Sequence, residues 1–307
     1  MSAEKNIHSD NSFSVSSEAV EFSWSYSRYK IFRFCKRAYF YRYYAASNGW
    51  DKFADSRSRM LYRLKNLVKA ENYVRNLVSK TLSDVFTRGS RKGAKDFPLR
   101  DIYSALQKHI FHNRADIENK CWEEDPKKLN LFEVYYGEDP DSVFGKIREH
   151  ISDFVSKLSQ CGLLSELASV PYLQWKNFTL PVVFSFNGLN VWTVPDFVWS
   201  HEGNTNLLFL KSRRNEEAWR ILPGISVMAL ENNFHTPPSL CKCRTFFREG
   251  PEIFEGYESL EKVRSIIMES SSCMLSLLTR DGKADEENFN RTEGNCSSCE
   301  FKEYCEK

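Results

Sequence analysis

The densest group of chemistry-bearing side chains is CSSCEFKEYC, where Cys296 and Cys299 form a CxxC that is followed by Cys305. Thiolates at this spacing can meet one metal centre. The chain has nine cysteines, an odd number, and its first residues carry no export signal. A metal site therefore explains the cluster better than a disulfide framework does. Three sulfurs leave one position to fill. Cys35 or a histidine would complete it, and the spacing fits zinc as well as an iron–sulfur cluster. Cys241 and Cys243 flank Lys242 in a strand-like run with both thiols on one face, and they read as buried small side chains. A second set couples a carboxylate to an amine. Asp196 follows Pro195, and Lys211 closes the apolar run that begins at Leu207. Metal-dependent phosphodiester cleavage needs at least two oxygen ligands and a group that orients water. This stretch offers one carboxylate and one amine.

The element that must position Asp196 and Lys211 is Val191 to Arg214. Its β-branched and aromatic residues surround the turn formers HEGNTN, and this reads as a β-hairpin. The run from Leu173 to Trp199 turns at Asn187 and Gly188, so the three strands should form a meander at the centre of a sheet. After Lys211, NEEAWRILPGISVMALENNF should be a helix packed on that sheet, though Pro223 and Gly224 weaken its start.

Upstream, apolar periodicity predicts helices over about 55–168: two in succession from Arg59 to Phe86, one over Asp101 to Asn119 and one over Phe144 to Leu167. Pro126 to Pro140 reads as a linker. Downstream, Cys241 to Gly250 reads as a strand and Glu258 to Leu278 as a helix. Cys35 lies in a stretch where Ser25 or Ser27 can cap a helix with Tyr29, Phe32, Cys35, Tyr39 and Tyr43 at intervals of three and four. Arg28, Lys30, Arg33, Lys36, Arg37 and Arg42 are interleaved, with no acid among them. Some should snorkel along the core, while Arg28, Arg33, Lys36 and Arg37 are candidates for nucleic-acid phosphates. Arg88, Arg91, Lys92 and Lys95 in a basic connector are further candidates, as are Arg213 and Arg214 after the hairpin.

With 307 residues, 41% of them hydrophobic, the chain can bury a large core. Its net charge of +2 does not announce a polyanion partner, so any nucleic-acid surface must come from local clustering. Residues 1–20 are polar and Ser-rich and read as a flexible leader. No run approaches the length of a membrane span, which makes cytoplasmic residence and no membrane partner the expectation.

Taken together, the SxSRYxxFxxCxRxYxYRYY helix, the Pro-Asp hairpin ending in Lys and the CxxCxxxxxC resemble the RecB-like branch of the PD-(D/E)XK nucleases that carries a 4Fe-4S cluster. The resemblance spans residues 25 to 305. It implies an α/β, restriction-endonuclease-like core, a mixed central sheet flanked by helices, with the N- and C-termini joined by the cluster. It makes residues 21–307 one nuclease-like domain with a helical insertion at about 55–168. It also implies Cys35, Cys296, Cys299 and Cys305 as cluster ligands and Asp196 and Lys211 as catalytic remnants. Lys36 stands where the family usually has Pro.

The departures matter more. The family's acid two residues before the lysine is Phe209 here, its histidine and the following glutamate fall at Ser79 and Lys80, and its Gln and Tyr on the next helix fall at Gly224 and Met228. The resemblance with these losses implies a catalytically inactive nuclease-like protein that binds nucleic acid, DNA rather than RNA, or a protein partner. The competing readings are a DNA exonuclease, using Mg2+ or Mn2+ with a relocated acid such as Glu71, Glu202, Glu216 or Glu217, and a purely structural interaction subunit.

Overall fold

The computed structural model describes residues 22–91, 98–176, 181–214, 217–250, 252–292, 294 and 296–305. The expected leader, Lys92, Lys95 and Glu216 lie outside the described residues.

After a short strand β1 (Ser23–Ser25), the Ser25 hydroxyl accepts the Arg28 N–H at 3.1 Å and caps α1 (Tyr26–Phe34). Periodicity suggested one long helix. Instead α1 stops at Cys35, whose backbone is extended, and α2 (Lys36–Phe40) restarts at once and widens into a π-helical turn over Tyr41–Ala45. The cause lies far away in the sequence. The Arg37 N–H released by the break donates to Asn290 O at 3.2 Å. The aromatic face of this region packs on the other end of the chain, Tyr39, Phe40 and Tyr44 against Phe289 and Tyr41 against Phe301 and Tyr304. Arg37 and Arg57 both pair with Glu286, and Arg42 pairs with Glu300.

Next come α3 (Ser56–Lys65), capped by Asp55, β2 (Leu67–Val68) and α4 (Ala70–Arg91). α5 (Leu99–Glu118) follows. The expected linker instead holds β3 (Asn130–Leu131), parallel to β2, and α6 (Phe132–Tyr135). Asp139 caps α7 (Pro140–Gln160), and α8 (Leu163–Ser169) begins after Gly162, whose φ of +78° breaks the helix.

The strands that follow are β4 (Val182–Phe186), β5 (Leu189–Thr193), β6 (Phe197–His201) and β7 (Asn204–Lys211). α9 (Ala218–Phe234), β8 (Cys241–Phe247), β9 (Ile253–Glu255), α10 (Leu260–Leu275) and α11 (Lys302–Cys305) complete the order. Both hairpin turns place two consecutive residues at positive φ, Asn187 with Gly188 and Glu202 with Gly203. Such turns match the twist of the strands they join.

The expected meander is not formed. β5 pairs with β4 and β1, while β6 pairs with β7 in a different sheet of order β6-β7-β8-β9. Pro195 sits at the changeover, where a residue without an N–H cannot extend a ladder.

The four-stranded sheet is mixed. β6 and β7 are antiparallel, β7 and β8 are parallel through the α9 crossover, and β8 and β9 are antiparallel. Its alternation sorts side chains by face. Phe197, Trp199, Leu208, Leu210 and Phe246 join the core built by α4, α5, α7 and α8. Val198, Leu207, Phe209, Cys241 and Cys243 pack beneath α9 with Val227 and Leu230. The molecule is thus a mixed α/β structure with sheets flanked by helices. Each fully buried large side chain contributes roughly 1.5–3 kcal/mol of burial energy. Among the described residues no helix is long and apolar enough to cross a membrane.

Candidate functional site

Asp196 lies one residue ahead of β6, and its N–H donates to Leu208 O at 3.2 Å. β7 runs past the start of β6, so the Leu210 N–H on that side has no strand to pair with. Asp196 Oδ2 takes it at 2.8 Å. The other oxygen, Oδ1, accepts the Ser79 hydroxyl at 2.8 Å and faces Arg75 Nη1 at 3.4 Å. Arg75 also donates to Leu210 O at 3.3 Å. Only 7% of the Asp196 side chain is exposed, so its acceptor capacity is spent on the protein. Ser79, the position matched to the family's histidine, does face Asp196. Arg75 was not singled out from the sequence. Its spacing of four from Ser79 on α4 puts the two on one face, and that was the available signal.

Lys211 ends β7 two residues after Phe209, so both side chains leave the same face of the strand. Its ammonium lies 5.7 Å from the Phe209 ring centroid. Burial pushes the Lys211 pKa down to about 8; Asp196 opposes the shift, and Arg75 and Lys30 reinforce it. Lys30, on α1, was read only as one of a row of helix cations. The Phe209 ring is fully buried under α9 and leaves no carboxylate at that strand position.

None of the described acids suggested as replacements stands free at this place. Glu71 pairs with Arg213 at 2.8 Å. Glu217 pairs with Arg33 at 2.8 Å and accepts the Tyr29 hydroxyl at 2.9 Å. Glu202 occupies the turn at the opposite end of the hairpin, about five strand residues or roughly 16 Å from Asp196. Gly224 and Met228 face elsewhere. A Cβ on Gly224 would lie 2.8 Å from Val263 Cγ2, and Met228 is buried with Trp24 and Val191.

At the other centre, Cys35, Cys296, Cys299 and Cys305 line one pocket with Phe34, Ala38, Tyr41, Arg291, Thr292, Phe301 and Lys302. It is a small cavity of about 20 Å³ that opens to solvent. The break between α1 and α2 supplies Cys35, and α11 supplies Cys305. The Thr292 N–H donates to Cys35 Sγ at 3.5 Å, and Arg291 Nη2 to Cys296 Sγ at 3.1 Å. Burial pushes the Cys299 thiol up to about 12, with Glu300, Cys35 and Cys305 adding to the shift. Burial raises Cys305 too; Arg291 opposes this, while Cys35 and Cys296 add to it. Among the described residues, no three Cys, His, Asp or Glu side chains are drawn together at metal-binding distance. The donor set still fits a soft centre: four sulfurs, an apolar wall and N–H donors aimed at two of them. Burial thus favours the protonated Cys299 and Cys305 thiols until a metal cation replaces the protons. Cys241 and Cys243 are buried beneath α9, with Cys241 pushed up to about 11 by burial and Cys243 higher still.

The candidate nucleic-acid cations divide by what holds them. Arg28 is 4% exposed and is bonded to Ser23 O, Tyr39 and Tyr44, so it is a core group and cannot reach a phosphate. Arg33, Arg37 and Arg213 are held by Glu217, Glu286 and Glu71. Lys36, Arg88, Arg91 and Arg214 are exposed, and Arg91 lies over the Tyr172 ring at 5.1 Å.

No family model and no curated protein matches this chain. Two solved chains match, one described as "Crystal structure of SSO0001". The identity is 12% and the TM-score 0.26, over 57% of this chain and 78% of that one. At that score the likeness carries no argument about fold or function, and the chain is placed in no family.

Proposed function

We propose that this protein is a RecB-like, restriction-endonuclease-like nuclease fold that no longer hydrolyses its ligand. In this reading it binds nucleic acid, DNA rather than RNA, and holds a 4Fe-4S cluster on Cys35, Cys296, Cys299 and Cys305 that joins its termini. The observation that carries the loss of hydrolysis is the state of Asp196, whose carboxylate is consumed by Ser79, the Leu210 N–H and Arg75. A divalent ion there would have to displace a guanidinium and would find no second carboxylate among the described residues, since the strand position two before Lys211 is a buried phenyl ring. Hydrolysis with Mg2+ or Mn2+ has no ligand set on this chain's described residues. What supports the cluster is the shared pocket of the four cysteines. When bound, such a cluster supplies a covalent tie between the segments that carry Cys35 and Cys296–Cys305.

The exposed cations Lys36, Arg88, Arg91 and Arg214 give binding its electrostatic term. A protein partner has its own support, because Trp50 and Phe53, on one loop, are 55% and 84% exposed. The test is a titration of fluorescent single-stranded DNA at several salt concentrations, together with a manganese cleavage assay. Expected are affinity that falls steeply with salt and no cleavage. Cleavage by the native protein that Asp196→Ala and Lys211→Ala both abolish would sink the reading. No association with DNA at low salt would leave only the protein partner.

A further inference from the structure

Trp50 and Phe53 stand three residues apart on the loop between the π-helical turn and α3, with their rings 55% and 84% exposed. The backbone beneath them is pinned. Asn48 turns the chain at φ +54°, and Gly49 is pressed so closely on α3 that a Cβ there would lie 2.1 Å from Ser58 O. The Asp51 N–H donates to Asn48 O at 2.9 Å and the Ala54 N–H to Asp51 O at 3.1 Å. Aromatic rings held out on a fixed turn lose little conformational freedom when something binds them. Each ring also carries an ammonium: Lys127 Nζ lies 5.5 Å from the Trp50 ring centroid, and Lys52 Nζ lies 4.8 Å from that of Phe53. Both lysines are exposed, and among the described residues neither pairs with a carboxylate. The aspartates beside them are engaged with backbone. Asp51 accepts the Phe53 N–H at 2.9 Å, Asp55 the Ser58 N–H at 2.9 Å and Asp125 the Lys127 N–H at 3.0 Å. Glu123 and Glu124, exposed on the turn before Asp125, weaken the positive field, so flat ring surface rather than charge must supply most of the affinity here.

We propose that this loop is a stacking site for neighbouring bases of a single nucleic-acid strand, with Trp50 and Phe53 against the bases and Lys127 and Lys52 on the adjoining phosphates. This rests on the nucleic-acid reading above and adds a second place of contact, on elements that carry neither Asp196 nor Lys211. Exposed rings by themselves would suit a protein anchor equally well. The repeat selects the nucleotide. A ring paired with a cation, twice on one loop, matches a polymer in which every flat base adjoins an anion. A phosphate draws the ammonium off the ring, and the face it uncovers is then free for the base.

The experiment uses the full chain at low salt with two fluorescein-labelled probes of equal length, an oligothymidylate and an abasic strand that has the phosphates without the bases. Trp50→Ala and Phe53→Ala should each weaken oligothymidylate binding on the order of tenfold, as loss of one stacked base does, with Tm unchanged and binding of the abasic strand unchanged. Trp50→Phe, which keeps a ring, should restore most of the loss. Lys127→Ala should weaken both probes and flatten the salt dependence. Oligothymidylate affinity unchanged in Trp50→Ala and Phe53→Ala overturns the stacking site, leaves the nucleic-acid reading standing and gives the loop to a protein partner. Equal losses for the two probes in the aromatic variants also overturn it, because the rings would then be acting without bases. A native protein that binds neither probe removes the stacking site and the nucleic-acid reading together.

Discussion

Replacing Asp196 by Ala removes at once the acceptor of the Leu210 N–H and of the Ser79 hydroxyl, and it strips Arg75 of its carboxylate. An unsatisfied buried donor costs about 1–3 kcal/mol, so Asp196→Ala should lower unfolding stability by that order in urea titrations. A carboxylate kept for a metal would behave in the opposite way, since its removal relieves repulsion in the apo protein. Lys211 gives the complementary result. Its folded pKa of about 8 lies below the ordinary lysine value of 10.5, so the protonated form is penalised in the folded state. The penalty is fully present below pH 8 and gone above 10.5, because between those values the unfolded chain binds more protons than the folded one. Lys211→Met should therefore stabilise the protein at pH 7, with the gain shrinking as pH rises from 8 to 10.5. Melting curves across that window check it, and a gain that is constant with pH would assign the effect to packing.

At the scale of elements, Gly224 sets how closely α9 approaches α10. A methyl group there would lie 2.8 Å from Val263 Cγ2, too close for a stiff β-branched side chain to accept without a shift, while Glu258 O at 3.4 Å would be in ordinary contact. Gly224→Ala should cost about 1–3 kcal/mol despite the higher helix propensity of alanine, and the pair Gly224→Ala with Val263→Ala should recover part of it. The elements themselves were largely legible. Alternation and the Asn187–Gly188 and Glu202–Gly203 turns located both hairpins, three- and four-residue spacing located α4 and α7, and α5, α9 and α10 were expected as helices at their places in the chain. What escaped was non-local. Pro195 moves the chain between sheets, whereas periodicity alone joined the strands into a meander. The break at Cys35 depends on Asn290 O, an acceptor that no window around Cys35 contains. At the candidate site, Asp196, Lys211, Phe209 and Ser79 were found by spacing, and the structure sets the last three close to Asp196 or to one another. Arg75 was missed, because the sequence does not say which cations are already held by a carboxylate. Arg28 read as a candidate surface charge and is a core one, because nothing in the sequence shows that Ser23 O, Tyr39 and Tyr44 hold its guanidinium.

Across the whole molecule, the cysteine pocket draws on both ends of the chain, and that predicts a coupled loss. Cys35→Ser and Cys305→Ser should each lower bound metal and Tm together and loosen the segment around α1 and α2 as well as that around α11. The checks are metal analysis, expected to give about four irons per chain for the native protein, and hydrogen exchange at both ends. Metal content and melting unchanged in both variants would remove these cysteines from the ligand set, and zinc in place of iron would change the cofactor while leaving the pocket.

The aromatic packing of Tyr39, Phe40 and Tyr44 on Phe289, and of Tyr41 on Phe301, has a consequence in time as well as in space. A ribosome makes α1 and α2 some 250 residues before the segment that covers them. At roughly 5–20 residues per second the interval is on the order of 10–50 seconds. Throughout it a surface rich in tyrosine and phenylalanine lies open on the nascent chain. The intervening helices and four-stranded sheet can collapse during that wait, but the aromatic face of α1 and α2 cannot be sealed until Phe289 and Phe301 arrive. These two helices are thus the natural client for a chaperone during synthesis.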